Sequence, residues 1–247
     1  MFLDVAIDAA RQAGKLLKDN FGTELVVNET HAHDIKLALD VQAQELIEGI
    51  ILKAYPDHAI FGEEGIRGNQ ESPHRWIIDP LDGTVNFSYG LPHFAVSIGM
   101  EKMGEMVVGV IYDPMRDELF TAQKGGPAQL NGRDIRVSNR ATVGEAILSL
   151  GMSKHADSIE AGLNQIRHYA VRARKLRSMG SAALDMAFIA CGRLDAYMER
   201  SISLWDIAAG KVILECAGGT VELSDNKTGK NLEIIASNGK LDLRFME

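Results

Sequence analysis

Two aspartates three residues apart, Asp79 and Asp82, stand in the run Trp76-Ile77-Ile78-Asp79-Pro80-Leu81-Asp82-Gly83-Thr84, and carboxylates so placed can hold a cation. The apolar residues ahead of them read as a buried strand that halts at an acid, a proline, a second acid and a glycine. Proline lacks an amide donor, so the strand is expected to stop at Asp79. Glycine then lets the backbone turn with its amides exposed. At a separation of about 5 Å and an effective dielectric near 20, the two charges repel by on the order of 3 kcal/mol, and a positive partner would relieve them. Oxygen-only donors at a turn suit a hard divalent cation, magnesium first. The same run is also an ordinary surface turn, because Asp and Gly both fit turn backbones.

Other acids could complete such a site. Glu63, in Gly62-Glu63-Glu64-Gly65, directly follows the apolar Ala59-Ile60-Phe61, and Asp206 opens a helical stretch at Leu204-Trp205-Asp206-Ile207. Each has a plain structural reading as well, a solvated turn for Glu63 and a helix cap for Asp206. His31, His33, His58, His74, His93, His155 and His168 show no metal-ligand spacing, with cysteine or with one another. Ser153 and Ser181 lack the surroundings of a nucleophile elbow.

The elements that must position these residues follow from periodicity. Phe2, Val5, Ala9, Ala13, Leu16 and Leu17 mark one face of a helix over 2–19, and Leu39, Ala43, Leu46, Ile47, Ile50 and Ile51 mark another within 36–54. Strands are expected at 59–61, 76–78, 95–100, 107–112 and 118–122, and their short turns imply antiparallel pairing. From about residue 140 the grammar alternates, with strands at 146–150, 173–175, 195–198, 220–223 and 233–236 and helices near 157–170, 181–191 and 205–217. The expected fold is a layered α+β and α/β arrangement, an α-β-α-β-α sandwich: N-terminal helices on an antiparallel sheet, then a mixed α/β layer. Residues 1–140 form the half carrying the acidic loop, and residues 141–247 the other half.

Composition narrows the partners. The chain is 46% apolar and 24% charged, with 26 basic against 34 acidic residues and a net charge of −8. With no basic block, a general grip on nucleic acid or an anionic membrane is disfavoured, although bound metal could still bring in a phosphate ester. The two cysteines, Cys191 and Cys216, fall in apolar helical stretches and read as buried thiols in a reducing compartment. The amphipathic N-terminus carries Asp4 and Asp8, unlike a signal sequence, and no apolar run approaches the ~18 residues that span a bilayer. A cytoplasmic protein is expected.

Taken in order, Gly62-Glu63-Glu64, Asp79-Pro80-Leu81-Asp82-Gly83-Thr84, Gly180-Ser181-Ala182-Ala183-Leu184, Asp195-Ala196-Tyr197-Met198-Glu199 and Trp205-Asp206 closely resemble the inositol monophosphatase family of metal-dependent phosphatases. The resemblance covers nearly the whole chain. It implies one magnesium held by Glu63, Asp79 and the Leu81 carbonyl, and a second by Asp79, Asp82 and Asp206, with a third, weaker ion near Glu63. It also implies that the Gly83 and Thr84 amides receive phosphate oxygens, and that Glu63 and the Thr84 hydroxyl orient the attacking water. Asp40 would steer Thr84, while Gly180, Ser181, Ala182, Glu199 and Asp206 would face the alcohol. Two departures stand out: Val85 follows Thr84 where a second threonine is common, and Leu37 and Glu29 replace a usual threonine and lysine in a loop placed at 28–38.

The function so implied is hydrolysis of inositol 1-phosphate, or of a similar small polyol or sugar phosphate, by a lithium-sensitive, dimeric enzyme. Fructose 1,6-bisphosphate, histidinol phosphate and 3′-phosphonucleotides are the alternative substrates. A transcription-associated binding protein is the alternative of another class.

Overall fold

The N-terminal helix α1 (Phe2–Asn20) buries Ala6, Ala9, Ala10, Ala13 and Leu17, one side of a 3.6-residue period. In this computed structural model residues 1–23, 27–31, 34–152, 156–225 and 231–246 are described. The strands β1 (Val27–His31) and β2 (Asp34–Leu37) pair antiparallel, so the segment expected as a loop at 28–38 is a hairpin where it is described. Helix α2 (Ala38–Ala54) consequently starts two residues later than its periodicity suggested. His33, Ser153 and His155 lie outside the described residues, as does the side chain of Glu29.

Next come β3 (Ala59–Gly62), β4 (Gly65–Gly68), β5 (His74–Asp82), the single-turn α3 (Thr84–Ser88), β6 (Ala95–Lys102), β7 (Glu105–Asp113), β8 (Glu118–Gln123), β9 (Gln129–Leu130) and β10 (Arg133–Asp134). They form one sheet in the order β10-β9-β8-β7-β6-β5-β3-β4, antiparallel except where β3 runs parallel to β5. Strand β5 does not stop at Asp79. It continues through Pro80 to Asp82, with its register against β6 broken between Asp79 and Asp82. The missing proline donor is harmless, because β3 pairs with β5 only as far as Ile78 and no other strand among the described residues pairs with that edge beyond it.

The remaining elements are β11 (Ile147–Leu150), α4 (Ala156–Ala170), β12 (Lys175–Arg177), α5 (Ala182–Ala190), β13 (Ala196–Ile202), α6 (Leu204–Cys216), β14 (Thr220–Asp225) and β15 (Leu232–Ser237). The second sheet has the order β12-β11-β13-β15-β14, parallel across its first three strands and antiparallel thereafter.

Three apolar cores show how the layers stack. One joins α1 and α2 to the outer face of the large sheet, through residues such as Leu17, Ile47, Trp76 and Val110. A second fills the space between the sheets, where α5 and α6 pack with Phe120, Tyr197 and Ile234. The third covers the far face of the small sheet with Tyr169 of α4, Leu148 and Met198. The order is α-β-α-β-α. Cys191 and Cys216 are free thiols, and Cys191 packs at the margin of the middle core.

Helix α6 comes from the C-terminal part of the chain yet rests directly on β6 and β7 of the large sheet. Gly109 makes that approach possible, since a Cβ there would lie 2.3 Å from the Ala209 carbonyl oxygen. The consequence is positional: the first turn of α6 is brought over the end of β5.

Candidate active site

The end of β5, the turn after β3 and the first turns of α5 and α6 converge on a cavity of about 420 Å³. One carboxylate oxygen from each of Asp79, Asp82 and Asp206 lies within 4.8 Å of the others. Asp79 is 1% exposed and Asp82 8%. Glu63 borders the same cavity and is electrostatically joined to Asp79 and Asp206.

Each acid is held by its local backbone. Asp79 Oδ1 accepts the Leu81 amide at 3.0 Å, a short side-chain turn that fixes its rotamer. Asp82 Oδ2 accepts the Ser181 hydroxyl at 2.5 Å and the Ala183 amide at 2.7 Å, which ties the end of β5 to the start of α5. Asp206 Oδ2 accepts the Ser203 amide at 2.9 Å, so the helix-cap reading of this residue is correct alongside its place in the cluster. The Glu63 amide donates to the Ile78 carbonyl at 3.1 Å, fixing the turn against β5.

Electrostatically the cluster is overloaded with acid. Burial first, then the Asp206 charge, pushes Glu63 up to about 8. Burial and then Asp82 push Asp206 up to about 8. Asp79 is raised well above the usual carboxylate range by burial and then by Glu63. Asp82 rises only to about 6, because the Ser181 and Ala183 hydrogen bonds partly offset its burial. Asp79 and Asp206 also raise each other's cost of ionisation, since their carboxylate oxygens lie within 4.8 Å of one another. Among the described residues no lysine or arginine lines the cavity to neutralise these groups. A buried, oxygen-only donor set with no cation of its own fits divalent metal ions.

The remaining expected residues fall around this centre. Gly83 adopts φ +99, a left-handed conformation that turns the chain into α3, and the Thr84 hydroxyl donates to the Leu81 carbonyl at 3.0 Å. Gly180, Ser181, Ala182 and Glu199 line the same cavity. The Ser181 hydroxyl also accepts the Leu184 amide at 3.3 Å as the N-cap of α5, and it is 2% exposed. Asp40 Oδ2 accepts the Leu37 amide at 3.0 Å to cap α2, and its charge reaches Glu63.

Several contributors escaped sequence reasoning. Asn86 donates to the His93 and Met179 carbonyls at 2.8 and 2.9 Å, clipping the loop before α5 to the loop after β5. The Tyr197 hydroxyl donates to Glu199 Oε2 at 2.5 Å, and the two-residue spacing on one strand was the signal for that shared face. Asp185 borders the cavity and accepts the Ser149 hydroxyl at 2.7 Å. It reads as polar relief inside an apolar helix, and only the fold shows where it points.

The sequence profile of the Inositol monophosphatase family matches residues 1–246. A Nus factor SuhB of Pseudomonas aeruginosa is 42% identical over 227 residues, covering 89% of this chain and 84% of the relative. An inositol-1-monophosphatase of Rhizobium meliloti is 41% identical over 223 residues, covering 88% of this chain and 83% of the relative. The crystal structure of the extragenic suppressor protein suhB of Bartonella henselae superposes with a TM-score of 0.89 at 37% identity, over 96% of this chain and 93% of that one.

Proposed function

This chain belongs to the inositol monophosphatase family, and on that premise we propose how its residues divide the work of hydrolysis. The protein is a metal-dependent phosphoric monoester hydrolase acting on inositol 1-phosphate or a similar small polyol phosphate. The observation that carries the reading is the cluster of buried Asp79 and Asp82 with half-buried Asp206 lining one cavity.

The cations are magnesium, two at work and a third more weakly held beside Glu63. Glu63, Asp79 and the Leu81 carbonyl would hold one, and Asp79, Asp82 and Asp206 would hold the other. When bound, magnesium supplies charge neutralisation and Lewis acidity to the phosphate. Gly83 and Thr84 offer backbone amides to the phosphate oxygens. The Thr84 hydroxyl spends its hydrogen on the Leu81 carbonyl, so its lone pairs accept from the attacking water. A second hydrogen bond from that water to the Glu63 carboxylate aims its oxygen at phosphorus, in line with the leaving oxygen. Asp40, fixed by the Leu37 amide at the start of α2, steers Thr84.

Gly180, Ser181, Ala182, Glu199 and Asp206 face the alcohol. Glu199 Oε2 is occupied by Tyr197, which leaves Oε1 for a substrate hydroxyl. The site draws on both 1–140 and 141–247, two halves of one working unit. No helix among the described residues is long and apolar enough to cross a membrane. We place the enzyme in the cytoplasm as a homodimer and expect lithium to inhibit it by occupying a magnesium position.

A panel of inositol 1-phosphate, fructose 1,6-bisphosphate, histidinol phosphate and a 3′-phosphonucleotide, assayed with and without magnesium, tests the reading. Magnesium-dependent phosphate release fastest from inositol 1-phosphate is expected, and faster release from any other ester overturns the substrate choice. A second role in transcription is favoured by one observation, the 42% identity to a relative named Nus factor SuhB. Capture of purified RNA polymerase by an inactive Asp82→Asn variant would support that role, and no capture would remove it.

A further inference from the structure

Helix α2 carries three buried polar residues one turn apart, Asp40, Gln44 and Glu48, on the side that faces the β3–β4 turn. A stripe of buried polar groups costs stability unless each is matched, so its partners are informative. Gln44 is 4% exposed and its amide is bonded on both ends. Oε1 accepts the Glu64 amide at 2.9 Å, while Nε2 donates to Glu48 Oε1 at 2.8 Å and to the Gly65 carbonyl at 3.3 Å. Partner chemistry fixes the amide's orientation, because a backbone N–H needs the oxygen and a carboxylate needs the NH2. Glu48, 2% exposed, is anchored in turn by Arg67 Nε of β4 at 2.9 Å.

The fit is tight as well as polar. A Cβ on Gly62 would lie 2.3 Å from Gln44 Oε1, so the amide lies flat against the backbone immediately before Glu63. Glu63 is therefore held from both sides, by the Ile78 carbonyl on its own amide and by Gln44 on the next one. Gln44 itself is absent from the residues lining the cavity.

We propose that Gln44 is a positioning residue for Glu63, clamping the Gly62–Gly65 turn from behind so that the Glu63 carboxylate is presented to a divalent cation. The inference rests on the reading of Glu63 as a metal ligand. Partners behind a ligand set its orientation, and removing one typically weakens metal binding by about tenfold to a hundredfold. Glutamine is required in this chain rather than glutamate. A carboxylate could accept the Glu64 amide, but it could donate neither to Gly65 nor to Glu48 and would face the buried Glu48 charge directly.

The test is titration calorimetry of the whole chain with magnesium chloride alone, on the wild type, Gln44→Met, Glu63→Gln and the double variant, with melting curves to verify folding. Gln44→Met is expected to weaken magnesium binding about tenfold. In the Glu63→Gln background the same change should cost little more, because the clamp then has no ligand to position. Gln44→Met binding like the wild type while Glu63→Gln is impaired overturns the inference and leaves the functional reading standing. An equal loss in both backgrounds also overturns it. Glu63→Gln binding like the wild type removes the reading of Glu63 as a ligand, and the inference with it. Should Gln44→Met not fold, Gln44→Glu decides: its added charge would tighten cation binding if the field alone mattered, whereas a lost clamp weakens it.

Discussion

Ser181 joins two structures with one hydroxyl, and removing it should be expensive. Its hydrogen goes to Asp82 Oδ2 at 2.5 Å, and its oxygen accepts the Leu184 amide as the N-cap of α5. Every residue of α5 is buried, so water does not replace either partner readily. Loss of an N-cap costs about 1 kcal/mol, and loss of a hydrogen bond to a charged group about 1.5–3 kcal/mol. The two are not independent, since one atom serves both, and Asp82 keeps the Ala183 amide. A net loss of about 3 kcal/mol for Ser181→Ala is therefore expected, which for a chain of this size lowers Tm by roughly 6–12 °C. Thermal melts followed by circular dichroism in a chelating buffer read this directly. Ser181→Thr, which keeps the hydroxyl, serves as the control and should lie close to the wild type. Magnesium should narrow the gap, because a cation bound at Asp82 supplies part of what the hydroxyl gave. A Tm for Ser181→Ala within about 2 °C of the wild type in chelator would refute the reasoning.

Three further outcomes follow from named contacts. Gly83→Ala places a side chain at φ +99 with its Cβ 3.0 Å from the His93 carbonyl, and about 1–3 kcal/mol of strain together with slower phosphate release are expected in melts and steady-state assays. Gly109→Ala would push α6 off β7 and Asp206 with it, so it should lose magnesium activation and about 1–3 kcal/mol of stability. His58 accepts the Trp76 indole N–H at 3.0 Å through Nδ1, and its pKa is lowered by burial and then by the neighbouring His74. Below its unfolded pKa near 6.5 the unfolded chain binds the extra proton. The stability from neutral His58 is thus complete above that pH and declines below it, toward the folded pKa. The fall in Tm between pH 7.5 and 5.5 should be steeper for the wild type than for His58→Gln.

Much of this was legible in the chain because it rests on short-range regularities. The helices α1, α2, α5 and α6 and the strands β5 to β8 announce themselves by apolar period and bounding turns. The β1–β2 hairpin does not, since Val27–Leu37 mixes charged, polar and apolar residues with no sustained alternation. Strand β4 is exposed along its whole length at the sheet edge, and β9 and β10 are two residues each, too short for a pattern. Pro80 was read as a strand stop because its donor is missing. That rule fails here because, among the described residues, no strand pairs with that edge of β5 beyond Ile78 to receive a donor.

At the site, the acids were readable by type and spacing, but not all of their supports were. Ser181 on Asp82 and Gln44 behind Glu63 depend on which elements the fold stacks together, whereas the cap that holds Asp206 is local to α6 and was readable. The small residue that lets α6 descend, Gly109, looks like any strand glycine until Ala209 is placed above it.

The central claim is that Asp79, Asp82 and Asp206 act together as a magnesium site for phosphate-ester hydrolysis. Phosphate release from inositol 1-phosphate by the wild type, Asp79→Asn and Asp206→Asn, compared side by side in chelator and in saturating magnesium, tests it most directly. The account predicts magnesium-dependent turnover for the wild type and loss of nearly all of it in both variants, with their melting curves still cooperative. Substantial magnesium-dependent turnover in either folded variant would contradict it.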